Sequence, residues 1–217
     1  MKKILHFDKN AMDAMDKRFR ANFINSVTGY KSANLLGTVN QEGVTNLAVF
    51  SSITHLGSNP PLVGFITRPT VVERHTYANV KTTGFFTVNH IHAAIIEEAH
   101  QTSARYDTQV SEFDATGLTA EFIKDFKAPF VVEAHIKIAC RYVNEYHIKE
   151  NGTLLVVGAM EDIYLPEGIH DTEDGWIDLS KARGVTINGL DSYAEPQLLD
   201  RLQYAKPDTP TTSILKK

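Results

Sequence analysis

A chain of 217 residues and 24.2 kDa is long enough for one domain with a sizeable core and short for two full enzyme domains. Hydrophobic residues at 42% and charged residues at 22% exclude a disordered chain. A net charge of -4 argues against a nucleic-acid partner held by bulk charge, and the single Cys140 excludes an internal disulfide framework or a thiolate zinc site.

The apolar stretch after Met1 is too short for a signal peptide, and no window approaches the roughly 18 apolar residues of a membrane span. The expectation is a cytoplasmic protein with no membrane attachment. Asn151-Gly152-Thr153 matches a glycosylation sequon but then reads as a turn. No Pro/Gly/Ser-rich linker or internal repeat divides the chain, which predicts one domain over residues 1–204 and a loosely held tail over 205–217.

In chain order, Met12, Met15, Phe19 and Phe23 stand at helical spacing and predict one helix over roughly residues 10–25. Strands are predicted over 34–39, 44–52 and 62–67, the first two joined by a turn at Asn40 to Gly43. Residues 73–82 can form a short helix ended by Gly84, followed by a strand over 85–89. Good helix formers predict a helix over 92–102. Residues 130–142 alternate apolar and polar side chains, which predicts one long antiparallel strand with a wet face. Asn151-Gly152 is a hairpin signal, and residues 153–164 supply the returning strand. Many antiparallel strands with few helices predict a mostly β barrel or sandwich.

The common catalytic fingerprints are missing: no Gly-x-Gly-x-x-Gly after a strand, no Walker A sequence, no Gly-x-Ser-x-Gly and no His-Glu-x-x-His. His90-Ile91-His92 could put two rings on one strand face, but no further ligand stands at metal spacing, so no metal is expected. Cys140 falls on the apolar phase of its strand and reads as a core thiol.

Chemistry concentrates between Leu36 and Asn89. Residues 46–52, with Asn46, Ala48, Val49, Phe50, Ser51 and Ser52, form a strand of largely small and hydroxyl side chains. Pro60-Pro61 leads into a strand ending at Thr67-Arg68, and Arg74-His75-Thr76 to Asn79 opens a short helix. Arg68, Arg74, His75 and Thr76 around a helix start are the cations, hydroxyl and amides that a phosphate requires; the same arginines alone would also pass as solvated surface charges. The order Asn46, Ser51-Ser52, Pro60-Pro61, Arg68, Thr76, Asn79 and Thr83-Gly84-Phe85-Phe86-Thr87-Val88-Asn89 resembles the flavin reductase-like proteins with an FMN-binding split barrel. That group includes flavin reductases of two-component monooxygenases and flavoredoxins. The match continues through Ser103, Ser111-Glu112-Phe113, Gly117-Leu118, Val157-Gly158 and Ile177-Asp178-Leu179.

The resemblance implies an FMN-binding split β-barrel, a Greek-key antiparallel barrel of six strands with added helices, forming a homodimer. It implies non-covalent FMN and NADH or NADPH as hydride donor, with electrons passed to a small-molecule or protein acceptor. It also implies that main-chain groups of residues 48–52 approach the flavin ring with Phe50 packing nearby, although those residues must in part be an ordinary alternating core strand. Ser103 and Arg105, after the middle helix, join the implied cofactor set, and no catalytic side chain is named. Two other readings stay open: a flavoredoxin-like carrier reduced by a protein partner, and a barrel that binds a small ligand without redox chemistry.

Overall fold

The computed structural model describes residues 3–215. Two short helices, α1 (Lys9–Asp13) and α2 (Lys17–Val27), replace the single helix expected over 10–25. Asp16 causes the break: its carboxylate accepts from the Arg18 and Phe19 amides at 2.9 and 3.3 Å and so caps a new helix. Neither helix buries a residue in this chain; they meet the rest of the N-terminal segment through Phe7 and Phe23, whose ring centroids lie 4.9 Å apart.

The strands that follow are β1 (Lys31–Ser32), β2 (Asn34–Val39), β3 (Thr45–Phe50), β4 (Thr54–Ser58) and β5 (Pro61–Thr67). Asn40 makes the β2–β3 turn by accepting from the Glu42 and Val44 amides, and Gly43 supplies the positive φ of 85° that the turn needs. Helix α3 (His75–Thr83) ends on Gly84 in the left-handed conformation and feeds β6 (Phe85–His90). The helix expected over 92–102 begins as a 3-10 turn at Ala93–Ile95 and becomes α4 (Ile96–Gln101). Beyond it lie α5 (Glu112–Thr116), β7 (Ala120–Glu121), β8 (Phe130–Val131), β9 (Lys137–Ile148), β10 (Thr153–Tyr164), β11 (Thr186–Asn188) and β12 (Ser192–Ala194).

The long strand expected over 130–142 is thus two pieces, and the second runs six residues further than expected, to Ile148. Alternation reports which side chains are buried, not which strand lies alongside. Phe130, Ala134, Ile136 and Cys140 are indeed buried, but residues 132–136 have no partner strand in the large sheet, and Val132 is 45% exposed.

Seven strands form one antiparallel sheet in the order β3-β2-β6-β9-β10-β5-β4. Its two edge strands, β3 and β4, are consecutive in sequence and joined by only Ser51 to Ile53. A flat sheet would hold them roughly 29 Å apart at about 4.8 Å per strand, whereas four Cα–Cα steps reach at most about 15 Å. The sheet therefore rolls into a barrel. No strand ladder pairs β3 with β4, so the barrel is split along that seam. The Ser52 hydroxyl crosses the seam, accepting from the Ile66 amide and donating to the Ile66 carbonyl, both at 3.1 Å. The barrel has seven strands rather than six because the segment 54–58, with little apolar alternation, also pairs.

Leu36, Phe65, Phe86, Val88, Cys140 and Val156 fill the barrel interior, with Phe50, Phe65 and Phe86 meeting edge to face at 5.3 and 5.4 Å. On the other face of β2 and β3, Leu35 and Leu47 pack with Ile91, Ile95, Ala99 and Phe113 into a second core. The small sheet β1-β11-β12 borders this layer, contributing Ile187 to it. The C-terminal segment folds back on itself: Gln203 donates to Thr212 at 3.0 Å and Ile214 to Arg201 at 2.8 Å, while Arg201 pairs with Asp174 and covers the Trp176 ring. No helix among the described residues is long and apolar enough to cross a membrane.

Candidate functional site

Alternation along β3 sends Asn46, Ala48 and Phe50 to the barrel interior and Leu47 and Val49 to the outer core. Asn46 is 6% exposed, and its amide donates to Thr38 Oγ1 at 3.3 Å and to Thr76 Oγ1 at 3.1 Å. Asn79 donates to the same Thr38 oxygen at 3.1 Å. These buried bonds seat α3 over the end of the barrel, so three residues expected to face a ligand also hold that helix in place. The Thr76 hydroxyl accepts from Asn46 and keeps its own proton for a further acceptor.

The same alternation divides the main chain of β3. Thr38–Asn46, Leu36–Ala48 and Asn34–Phe50 are opposed pairs, and the neighbouring Asn40 amide donates to the Val44 carbonyl. Even-numbered β3 residues therefore bond to β2, and odd-numbered ones turn their N–H and C=O to the open seam. Leu47 shows this directly, its amide donating to Glu112 Oε2 at 2.9 Å. Val49 presents its main-chain pair to the same edge. Two residues on, Ser51 begins the connection that ends in the Ser52 clamp. Small Ala48 leaves the backbone approachable here, while the Phe50 ring is occupied by Phe65.

At the end of β5, Thr67 is buried and Arg68 exposed. Arg74 occupies the N-cap position of α3 but makes no capping bond through its side chain, leaving the first-turn amides of α3 without a side-chain acceptor. Its Nε is buried and has no hydrogen-bond partner. A buried guanidinium nitrogen without an acceptor is costly unless an anion meets it. A polar cavity of about 260 Å³ opens beside this helix, lined by His75, Ala78, Asn79 and Asn46 with Glu42 and Gln109 across from them. The Gln109 amide donates to Glu42 at 3.3 Å, so the loop after α4 closes one wall.

Asn46 and Thr76 thus join β3 to the start of α3, and the Ser52–Ile66 bonds join the β3–β4 connection to the end of β5. Ser103 and Arg105 are exposed in the loop after α4, a few residues before the stretch that lines the cavity, and the described contacts of this chain do not join them to the other three segments. Glu112 stands in the resemblance only within Ser111-Glu112-Phe113 and is not among the implied cofactor residues. A carboxylate in the first turn of a helix ordinarily serves the helix dipole at the surface, but Glu112 is 5% exposed, and that burial pushes its carboxyl above the usual range.

The histidines do not assemble a metal centre: among the described residues no three His, Cys, Asp or Glu side chains are placed to hold an ion. His92 stacks flat on His135 at 4.1 Å, accepts from the Ala94 amide and meets the Glu133 carbonyl at 2.9 Å. Cys140 is fully buried in the barrel, which raises its thiol far out of the nucleophilic range.

With this geometry in view, comparison with known proteins is decisive. The flavin reductase-like domain family matches residues 28–183. The chain belongs to that family. A split-barrel protein from Shewanella frigidimarina NCIMB 400, classed with the flavin reductases, is 49% identical and superposes with a TM-score of 0.89 over 93% of this chain and all of its own. Nitrilotriacetate monooxygenase component B from Bacillus cereus shares the fold at 20% identity, with a TM-score of 0.80 over 93% of this chain and all of that one. The flavoredoxin of Desulfovibrio vulgaris does so at 20% identity and 0.68, over 83% and 92%. The seam, the α3 start and the cavity all lie inside the family's matched segment.

Proposed function

We propose that this flavin reductase-like protein binds FMN non-covalently and works as an oxidoreductase, taking a hydride from NADH or NADPH and passing electrons to a second acceptor. The observation that carries the reading is the buried Arg74 Nε without a partner at the uncapped start of α3. That is the chemistry a phosphate monoester completes, with the helix amides and the Thr76 hydroxyl adding donors. His75, the first residue of α3, adds a further donor, and we assign Arg68, exposed just after β5, a share of the positive charge. At the other end, the Val49 main chain offers one donor and one acceptor to the hydrogen-bonding edge of a planar ring. The absence of a dinucleotide fingerprint favours FMN over FAD.

Bound flavin supplies the hydride and one-electron chemistry, and the protein supplies orientation and electrostatics. No acid–base side chain is required; what Val49, Ala48 and the α3 start contribute is a fixed approach that turns hydride transfer into a matter of proximity.

The test has two stages. Flavin released on denaturation should be FMN, and titration of apo protein should show tighter FMN than FAD binding. Anaerobic mixing with NADH or NADPH should then bleach the absorbance near ~450 nm of the oxidised cofactor. If dithionite bleaches it and neither nucleotide does, the flavin is an electron carrier's and the hydride-accepting role fails. A protein that binds no flavin overturns the whole reading.

A further inference from the structure

Strand β3 is an edge strand, and a bare edge leaves main-chain donors and acceptors without partners. Part of this edge is already filled by a side chain from one short segment. Ser111 stands at the N-cap of α5, where a serine normally bonds the helix's own amides, yet it makes no cap bond. Its hydroxyl instead meets Thr45 Oγ1 at 2.7 Å. The adjacent Glu112 is buried and spends an oxygen on the Leu47 amide. Ser111 thus holds the Thr45 side chain, while Glu112 takes the Leu47 amide, the main-chain donor next to Val49 on this edge. At the far end, the Ser52–Ile66 clamp closes the seam. Between the two lies the main-chain pair of Val49.

We propose that Glu112, seated by the Ser111–Thr45 bond beside it, is a positioning residue: it occupies the β3 edge at Leu47 and so leaves the Val49 N–H and C=O as the place where the ring edge of the flavin docks. This rests on the FMN reading above and deepens it. A carboxylate suits the task because it accepts strongly from a main-chain amide and cannot donate to the acceptors a ligand would use. Its burial keeps water from competing for the Leu47 amide.

The ring end and the phosphate end can be separated by ligand. Apo wild type, Glu112→Ala, Glu112→Gln and Val49→Pro are titrated with FMN and with riboflavin, and the thermal midpoint of each apo protein is read by circular dichroism. Glu112→Ala should weaken both ligands by a similar factor, about tenfold. Glu112→Gln, which keeps an acceptor, should restore affinity and the absorption spectrum of the bound flavin. Val49→Pro removes the donor that faces away from β2, which an edge strand tolerates, together with a side chain packed on the outer core, and should weaken both ligands equally; with its apo thermal midpoint read beside affinity, it decides the docking point if Glu112→Ala does not fold. Wild-type binding with either flavin in both Glu112→Ala and Val49→Pro overturns the assignment alone, as does a lowered thermal midpoint in Glu112→Ala with riboflavin affinity unchanged. A wild-type chain that takes up neither flavin overturns the FMN reading and this inference with it.

Discussion

Arg74 and His90 show how much a single side chain's setting changes its chemistry. Both are strongly polar, and both have atoms out of water. Arg74 has a buried guanidinium nitrogen without an acceptor and therefore calls for an anion. Arg74→Ala should weaken FMN by about 1.5–3 kcal/mol, the value of a charge-assisted hydrogen bond, or roughly 10- to 150-fold in Kd. Riboflavin, lacking the phosphate, should lose little; equal loss for both would mean that Arg74 acts through folding. His90 resolves its burial the other way, by staying neutral, with its pKa lowered to about 4 by desolvation. A depressed histidine stabilises the fold above its unfolded value of 6.5, and that contribution is lost as pH falls from there toward about 4. The amount is of the order of 3 kcal/mol at about 1.4 kcal/mol per unit. Urea midpoints measured across this window should fall steeply for wild type and more gently for His90→Gln.

At the scale of elements, the barrel is held to its outer layer by close main-chain approaches as much as by apolar packing. Gly37 in β2 is one such point: a Cβ there would lie 2.1 Å from the Pro129 carbonyl oxygen and 2.6 Å from Thr87 Oγ1. Thr87 itself donates to that carbonyl at 2.6 Å, and Asn89 accepts from the Val131 amide at 3.1 Å. Together these bonds fasten the segment before β9 across β2 and β6. Gly37→Ala has to push backbone aside, so it should cost about 1–3 kcal/mol, read as a lowered denaturation midpoint. An unchanged midpoint would show that the segment shifts freely, and that the fastening is not tight.

For the whole molecule, the N-terminal helices pose the question. Helix α2 buries none of its residues within the chain, and Phe19 and Val27 are 57% and 68% exposed. They line a wide apolar depression with Phe23. An amphipathic helix gains little by folding against water, so we propose that this face packs in a homodimer, as the family resemblance also implies. Light scattering at micromolar concentration should give twice 24.2 kDa, and Phe19→Asp with Val27→Glu should return the mass to the monomer's. A monomeric wild type would refute it.

Local signals determined much of this protein by themselves. The hairpin at Asn40–Gly43, the stop at Gly84, the span of β10 and the order of residues from Asn46 to Asn89 were all legible, because turn chemistry and period-two burial act over a few residues. Arg74 and Thr76 could be marked from their residue types beside a helix start. What the chain order could not carry was partnership across distance. The break of residues 130–142 depended on which strand lay alongside, and the pairing of residues 54–58 depended on the sheet rolling up. Asn46 and Asn79 proved to be fastened to Thr38, and Thr76 to Asn46, while Glu112 proved to be a buried acceptor for an amide 65 residues away. Burial and edge pairing are properties of the closed barrel, and only the tertiary structure decided them.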